Sequence, residues 1–169
     1  AARSVTSNLH GGGTAVEIAR IRGGDPAIER HLFELPAVEQ PASVTFGDFA
    51  QLRGYDLRRD GDALLLTAYW QTLQPTDANL MVRATLLDDA GRALSQAESV
   101  PRVGQYPTDR WLPGEIVIDS YRLPVPEGFE PRRVALSFFD PASGRSLQAR
   151  DDQGALLPDD RATFPVEAA

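Results

Sequence analysis

From Val44 to the end of the chain, apolar and polar residues alternate in short runs that turn residues separate. In 63–73, Leu64 and Trp70 share one face of such a run, and Thr67 lies on the other. A period of two buries one face of a strand and leaves the other wet or half-covered. Turn signals recur roughly every 8 to 15 residues, and no sustained helical period follows residue 45. The pattern predicts an all-β fold, an Ig-like antiparallel β-sandwich of about seven or eight strands.

Residues 1–43 do not continue this pattern, and they predict a short N-terminal extension. A glycine run at 11–13 indicates a flexible start. Residues 14–35 contain a Gly-Gly-Asp-Pro turn and predict a hairpin. The alternative is a short helix over 26–33, with Asp25 as N-cap and Pro26 at its first position. We therefore expect an extension or linker at 1–43, as a hairpin or the tail of a preceding region, and a β-sandwich domain at 44–169.

Composition excludes several classes of partner and site. The 169 residues suit one domain, and their net charge is −7. All 17 basic residues are arginines and they are scattered, so no basic patch favours nucleic acid or anionic lipid. With 0 cysteines, disulfides and thiolate metal sites are excluded. No apolar run approaches the ~20 residues of a membrane helix, so we expect no direct membrane insertion. The start has no apolar region of a signal peptide. The missing Met predicts a mature or excised fragment, and we expect a piece of a larger protein.

The segment 106–123 is the one place where aromatic rings, prolines and charge gather. Its candidate ligand-binding residues are Tyr106, Arg110, Trp111 and Glu115. Flat rings with polar rims suit sugar stacking, and prolines on either side of Trp111 lower the cost of ordering such a loop. Local packing of the same rings is the alternative, and we favour it.

Other aromatic residues are expected to be structural. Trp70 alternates in register with Leu64 and Leu66, which predicts a core position. Tyr55 and Tyr121 are expected to bury their rings and to satisfy their hydroxyls locally.

Carboxylates and histidines offer little for catalysis or metal binding. Glu115 and Asp119 are four residues apart, which places them on one face of a regular strand, and two carboxylates at a suitable separation can do acid–base work on a glycoside. A buried or turn acceptor role for Asp119 is the better prediction. Asp-Asp pairs at 88–89, 151–152 and 159–160 do not match calcium-loop spacing, so solvated loops are expected. His10 and His31 are the two histidines, and both fall outside the predicted sandwich. We expect no catalytic residue, no cofactor and no metal.

An ordered set of motifs resembles a known bacterial module over roughly residues 44–150. The motifs are Leu-Arg-Gly-Tyr-Asp-Leu at 52–57, Tyr-Trp at 69–70, Leu-Leu-Asp-Asp-Ala-Gly-Arg at 86–92, Tyr-Pro-Thr-Asp-Arg-Trp-Leu-Pro-Gly-Glu at 106–115, Asp-Ser-Tyr-Arg-Leu-Pro at 119–124 and Phe-Asp-Pro-Ala-Ser-Gly-Arg-Ser-Leu at 139–147. This chain resembles the soluble C-terminal β-sandwich module of polytopic membrane proteins similar to mannosyltransferase-like glycosyltransferases, notably those of Chloroflexi. The resemblance implies an Ig-like sandwich, an extracytoplasmic position, a membrane-protein parent and no catalysis in this piece.

From the residues and the resemblance together, we expect a non-catalytic accessory domain of a cell-envelope protein with a structural or protein-interaction role. Its expected partners are the parent membrane protein or a glycan. The alternative is a carbohydrate-binding module that uses the loop of Tyr106 and Trp111. A glycoside-active enzyme is the remote alternative.

Overall fold

The protein is described by a computed structural model that covers residues 3–9, 13–22 and 25–167, with side chains for 31–167. In this part of the chain the regular structure is thirteen strands and two 3-10 turns, without an α-helix. The strands are β1 (Arg3–Leu9), β2 (Gly13–Arg22), β3 (Asp25–Leu32), β4 (Gln40–Phe46), β5 (Ala50–Asp60), β6 (Ala63–Thr72), β7 (Met81–Leu87), β8 (Ala93–Ser99), β9 (Ile116–Pro124), β10 (Arg133–Asp140), β11 (Arg145–Ser146), β12 (Ala149–Arg150) and β13 (Ala162–Pro165). The 3-10 turns are Thr108–Arg110 and Pro158–Asp160. A helix with the length and apolarity to cross a membrane is absent from the described residues.

The strands form two sheets in which every pairing is antiparallel. The first sheet has the order β1-β2-β3-β9-β6-β5-β4-β12. The second has the order β11-β10-β7-β8, and β13 also pairs with β10. From β4 onward, eight strands have four or more residues, and β11 and β12 have two residues each. The prediction of an all-β antiparallel sandwich is confirmed.

One hydrophobic core joins the two sheets, and aromatic rings lie at its centre. Trp70 and Phe46 of the first sheet and Phe138 of the second are each 0% exposed. The Phe138 ring lies edge-on to both, with centroids 4.6 Å from Trp70 and 5.6 Å from Phe46. Edge-to-face contacts of this kind add to the stabilisation that burial provides. The predicted core position of Trp70 is therefore confirmed.

The N-terminal residues extend the first sheet. Strands β1, β2 and β3 pair in sequence, and β3 meets β9 through the pair Leu32↔Ile116. The hairpin alternative for 14–35 is thus the observed one, and the helix over 26–33 is not formed. Residues 3–9, where the sequence predicts a flexible start, form β1 and pair with β2. Their flexibility stays a prediction. Residues 10–12 and 23–24, which contain four of the glycines in the predicted flexible run and turn, lie outside the described residues. The domain boundary at residue 43 stays a prediction.

Gly54 marks a close approach between β5 and the segment that enters β4. The β4–β5 and β5–β6 registers both shift beside it, as at a β-bulge. A Cβ at this position would lie 2.8 Å from Cγ2 of Val38 and 3.0 Å from the carbonyl oxygen of Gln40. Only glycine allows the two segments to pack at this separation.

Candidate functional site

The loop between β8 and β9 is anchored by a buried threonine. Thr108 is 0% exposed and starts the first 3-10 turn. Its hydroxyl donates to the carbonyl oxygen of Ala78 at 2.7 Å and accepts from the backbone nitrogen of Leu80 at 2.8 Å. The loop is thereby tied to the chain that enters β7, and its aromatic residues turn toward the space between the sheets.

Trp111 packs inside the protein. Its side chain is 2% exposed, and its ring centroid lies 5.2 Å from that of Phe49 and 6.1 Å from that of Phe138. The indole Nε1 donates to the carbonyl oxygen of Tyr106 at 3.0 Å. A sugar ring cannot reach a face that the core already covers. The hypothesis of an exposed stacking platform at Trp111 is therefore corrected, and local packing is the observed arrangement.

Glu115 is the acceptor at the centre of a buried polar cluster. It is 1% exposed, just before β9. Its Oε1 accepts from the hydroxyl of Tyr106 at 2.6 Å and from the backbone nitrogen of Leu112 at 3.0 Å. Its Oε2 lies 2.7 Å from Nδ1 of His31. Several donors around one carboxylate offset the cost of removing it from water.

His31 comes from a part of the chain that the sequence placed outside the sandwich. It lies in β3, it is 4% exposed, and its Nδ1 is also 3.1 Å from the Tyr106 hydroxyl. The prediction that both histidines lie outside the sandwich is wrong for His31. Nothing in the local pattern links residues that are 84 positions apart, whereas the β3–β9 pairing brings them together. His10 lies outside the described residues.

Three of the four predicted ligand-binding residues meet, but they meet in the interior. Tyr106 bonds to Glu115, and its carbonyl receives the Trp111 indole. Arg110 is exposed, and its backbone oxygen lies 3.3 Å from the Tyr106 hydroxyl as an acceptor. The set therefore ties the loop and strand β3 to β9, and Arg110 is the one residue of the four whose side chain is exposed.

A second buried polar chain surrounds Asp119. This carboxylate is 4% exposed and accepts from the Tyr121 hydroxyl at 2.8 Å, from the Ser120 backbone at 2.9 Å and from the Arg102 backbone at 3.1 Å. The Trp70 indole completes the chain by donating to the Tyr121 hydroxyl at 3.4 Å. Burial raises the pKa of Asp119, and burial together with that carboxylate raises the pKa of Tyr121 well above its ordinary value.

These bonds confirm that Asp119 is a buried acceptor and that Tyr121 satisfies its hydroxyl locally. Glu115 and Asp119 both direct their oxygens at groups of the protein itself. Acid–base work on a glycoside would require both carboxylates to reach a substrate from the interior.

The acidic pairs are used in turns. Asp88 is 7% exposed and accepts from the backbone of Ala90 at 2.9 Å and from the backbone and side chain of Arg92 at 2.8 and 2.9 Å. The hydrogen bond from the Arg92 backbone is the largest of several contacts that lower the pKa of Asp88. Asp151 accepts from the backbones of residues 153 and 155 in the same way. Among residues whose side chains are described, no group of three or more histidines, cysteines or carboxylates is placed to hold a metal ion.

Two surface clefts were not predicted from the sequence. We name the first the inter-sheet cleft; its volume is about 380 Å³, and its lining is Val44, Leu87, Arg133, Asp151, Leu157, Pro158, Asp159, Arg161, Ala162, Thr163 and Phe164. We name the second the polar cleft; its volume is about 520 Å³, and its lining is Ser43, Thr45, Gly47, Asp48, Gln51, Gln148, Arg150, Asp151, Asp152 and Gly154. Each cleft is lined by segments that are about a hundred residues apart in sequence, so no local motif predicts either cleft.

Comparison with protein-family models, with curated proteins and with solved structures gives no match to this chain.

Proposed function

We propose that this chain is a non-catalytic accessory domain of a cell-envelope protein, and that it spaces or docks neighbouring parts of its parent. The main support is the position of the Trp111 ring, which is 2% exposed. The aromatic loop that would otherwise suggest a ligand face is used for internal packing. The two carboxylates that would suggest an enzyme bond to groups of the fold itself.

The pairing order of the strands supports an Ig-like connectivity. β6 pairs with β5 and β9 in one sheet, while β7 pairs with β10, and β10 pairs with β13, in the other. These pairings correspond to strands A, B and E facing strands C, F and G of an immunoglobulin-type sandwich, and β8 adds to the C strand. Sandwiches of this type occur in many cell-surface proteins, which fits the extracytoplasmic position that the motif resemblance implies.

The gene that surrounds the chain tests the location. We expect the reading frame to continue into a multi-spanning membrane segment. A frame that encodes no membrane segment and no export signal would refute the extracytoplasmic proposal.

Replacement of the domain in its parent tests the role. Removal of residues 1–169 is expected to reduce assembly or activity of the parent severalfold. Substitution by an unrelated β-sandwich of similar length restores function if the domain only spaces its neighbours, and fails to do so if it docks to them. Turnover of a glycoside by the isolated domain would overturn both versions.

Carbohydrate binding is a second candidate, and one observation favours it at a new place. The polar cleft offers amides, hydroxyls and a guanidinium, among them Gln51, Gln148 and Arg150. The Gln51 amide donates to the Ser43 hydroxyl at 2.9 Å, so this amide is held in position. Sugar hydroxyls require such convergent polar groups.

A glycan array with matched variants separates this candidate from the first. Gln148→Ala is expected to abolish glycan binding if the polar cleft is the site, and Arg145→Ala, an exposed change in β11, serves as the control. Binding to no glycan, or equal binding by both variants, would contradict it.

A further inference from the structure

The inter-sheet cleft has the dimensions and the floor of a small-molecule site. It lies where β4 of one sheet and β13 of the other approach each other. Its floor includes Val44, Leu87 and Ala162, which are 7%, 2% and 0% exposed. A volume of about 380 Å³ lies within the range of small-molecule pockets, which are mostly apolar with a few polar groups.

One wall of the inter-sheet cleft is a ring held in place by the opposite sheet. Phe164 of β13 lines the cleft, and its ring centroid lies 4.4 Å from that of Tyr55 in β5. Tyr55 is itself buried, at 7% exposure. The contact joins the two sheets beside the cleft, so the wall is formed before any ligand arrives.

The rim of the cleft includes a turn with left-handed backbone. Asp159, which lines the cleft, and its neighbour Asp160 have φ values of 57° and 51°. Aspartate is one of the few residues with a side chain that is enriched in this region, so the turn suits the sequence. The rim is fixed on one side by the Leu157 backbone, which donates to the Ala149 oxygen at 2.8 Å.

The lining of the cleft carries two arginines and two aspartates, and one of the two guanidiniums is in no ion pair with the side chains that the structure describes. Arg161 lies 3.6 Å from the carboxylate of Asp159, so these two charges are paired. The carboxylate of Asp151 accepts from two backbone nitrogens of its own turn, each at 2.9 Å. Within residues 31–167, no ion pair engages Arg133. A guanidinium beside an apolar floor matches a carboxylate with an apolar body, because its fork of donors fits the two oxygens.

We propose that the inter-sheet cleft binds a small organic acid, whose carboxylate pairs with Arg133 and whose apolar body lies on Val44, Leu87 and Phe164. This ligand role does not depend on whether the domain spaces or docks its neighbours.

Titration followed by ¹⁵N-resolved NMR tests the proposal, with octanoate as the probe. We expect saturable shifts of the amides at 44, 87 and 162–164. Octanamide keeps the apolar body and removes the charge, and we expect it to bind about tenfold more weakly than octanoate. Inorganic phosphate keeps a negative charge and lacks the apolar body, and we expect the same weakening for it.

Two arginine variants make the charge argument specific. Arg133→Gln is expected to weaken octanoate binding about tenfold. Arg132→Gln makes the same change one residue earlier, at a side chain that pairs with Glu130 at 3.1 Å and does not line the cleft, and it is expected to leave binding unchanged. The proposal is overturned by absent or unsaturable shifts, by equal binding of octanoate and octanamide, or by equal effects of the two variants.

Discussion

Replacement of Trp111 by alanine measures whether the loop between β8 and β9 belongs to the core. The side chain is 2% exposed and lies against Phe49 and Phe138. Truncation of a buried tryptophan to alanine costs about 3–5 kcal/mol, because the apolar contacts are lost and a cavity remains. For a chain of this length, that loss corresponds to a fall in Tm of roughly 6–20 °C.

Trp111→Phe separates the ring from its hydrogen bond. Phenylalanine keeps much of the apolar contact but leaves the Tyr106 carbonyl without the indole donor that lies 3.0 Å away. Loss of one such hydrogen bond costs about 0.5–1.5 kcal/mol, so this variant should lie between the wild type and the alanine variant.

Urea unfolding followed by circular dichroism gives these free energies directly, since far-ultraviolet ellipticity does not require the tryptophan. Phe129→Ala is the matched control, because that aromatic side chain is 52% exposed and its loss should change stability by about 0.5 kcal/mol or less. A cost below about 1 kcal/mol for Trp111→Ala would refute the argument that the indole is a core residue.

Three further predictions concern buried carboxylates and one glycine. Burial raises the pKa of Asp119, so its contribution to stability is fully present below its unfolded pKa and is lost as pH rises. The stability of Asp119→Asn relative to wild type, measured by urea unfolding, should therefore improve from pH 3 to 7. A difference that does not change with pH would contradict this. The pKa of Asp88 is lowered by Arg92, so the loss of stability in Asp88→Ala should be full at pH 7 and should shrink as pH falls below the ordinary aspartate range; an undiminished loss in acid would contradict it. Gly54→Ala should cost about 1–3 kcal/mol in the same assay, because the new methyl group meets Val38, and a neutral effect would show that this segment yields.

The strands were predictable because their signal is local. The run from Ala63 to Leu73 alternates with period two, and the structure has β6 at Ala63–Thr72. The more polar run 93–99 forms β8, which lies at the edge of the second sheet. The assignment of each strand depends on which of its side chains face the core, and this alternation is visible in consecutive residues of the sequence.

The sequence predicted which residues gather at the candidate site, but not where their side chains lie. The sequence grouped Tyr106, Trp111 and Glu115, and these residues do contact one another. Local packing of these rings was the favoured interpretation, but the sequence could not establish it, because an aromatic ring in a loop has no periodicity that tells a core face from a surface face. The predicted group also did not include His31, since a contact across 84 positions depends on strand pairing that no local pattern specifies.

The sequence by itself determined an all-β chain, its main strands and its turns, because alternation and turn chemistry act over a few residues. Tertiary structure alone decided which strands are neighbours, and with them the buried cluster of His31 and Glu115 and the clefts between distant segments. Burial of the Trp111 ring was also decided at that level, since the core space that receives it is built by Phe49 and Phe138. The physical reason is that the hydrophobic effect depends on the total apolar area removed from water and not on the order of residues along the chain. Contacts between distant residues are therefore determined by the packing of the whole fold.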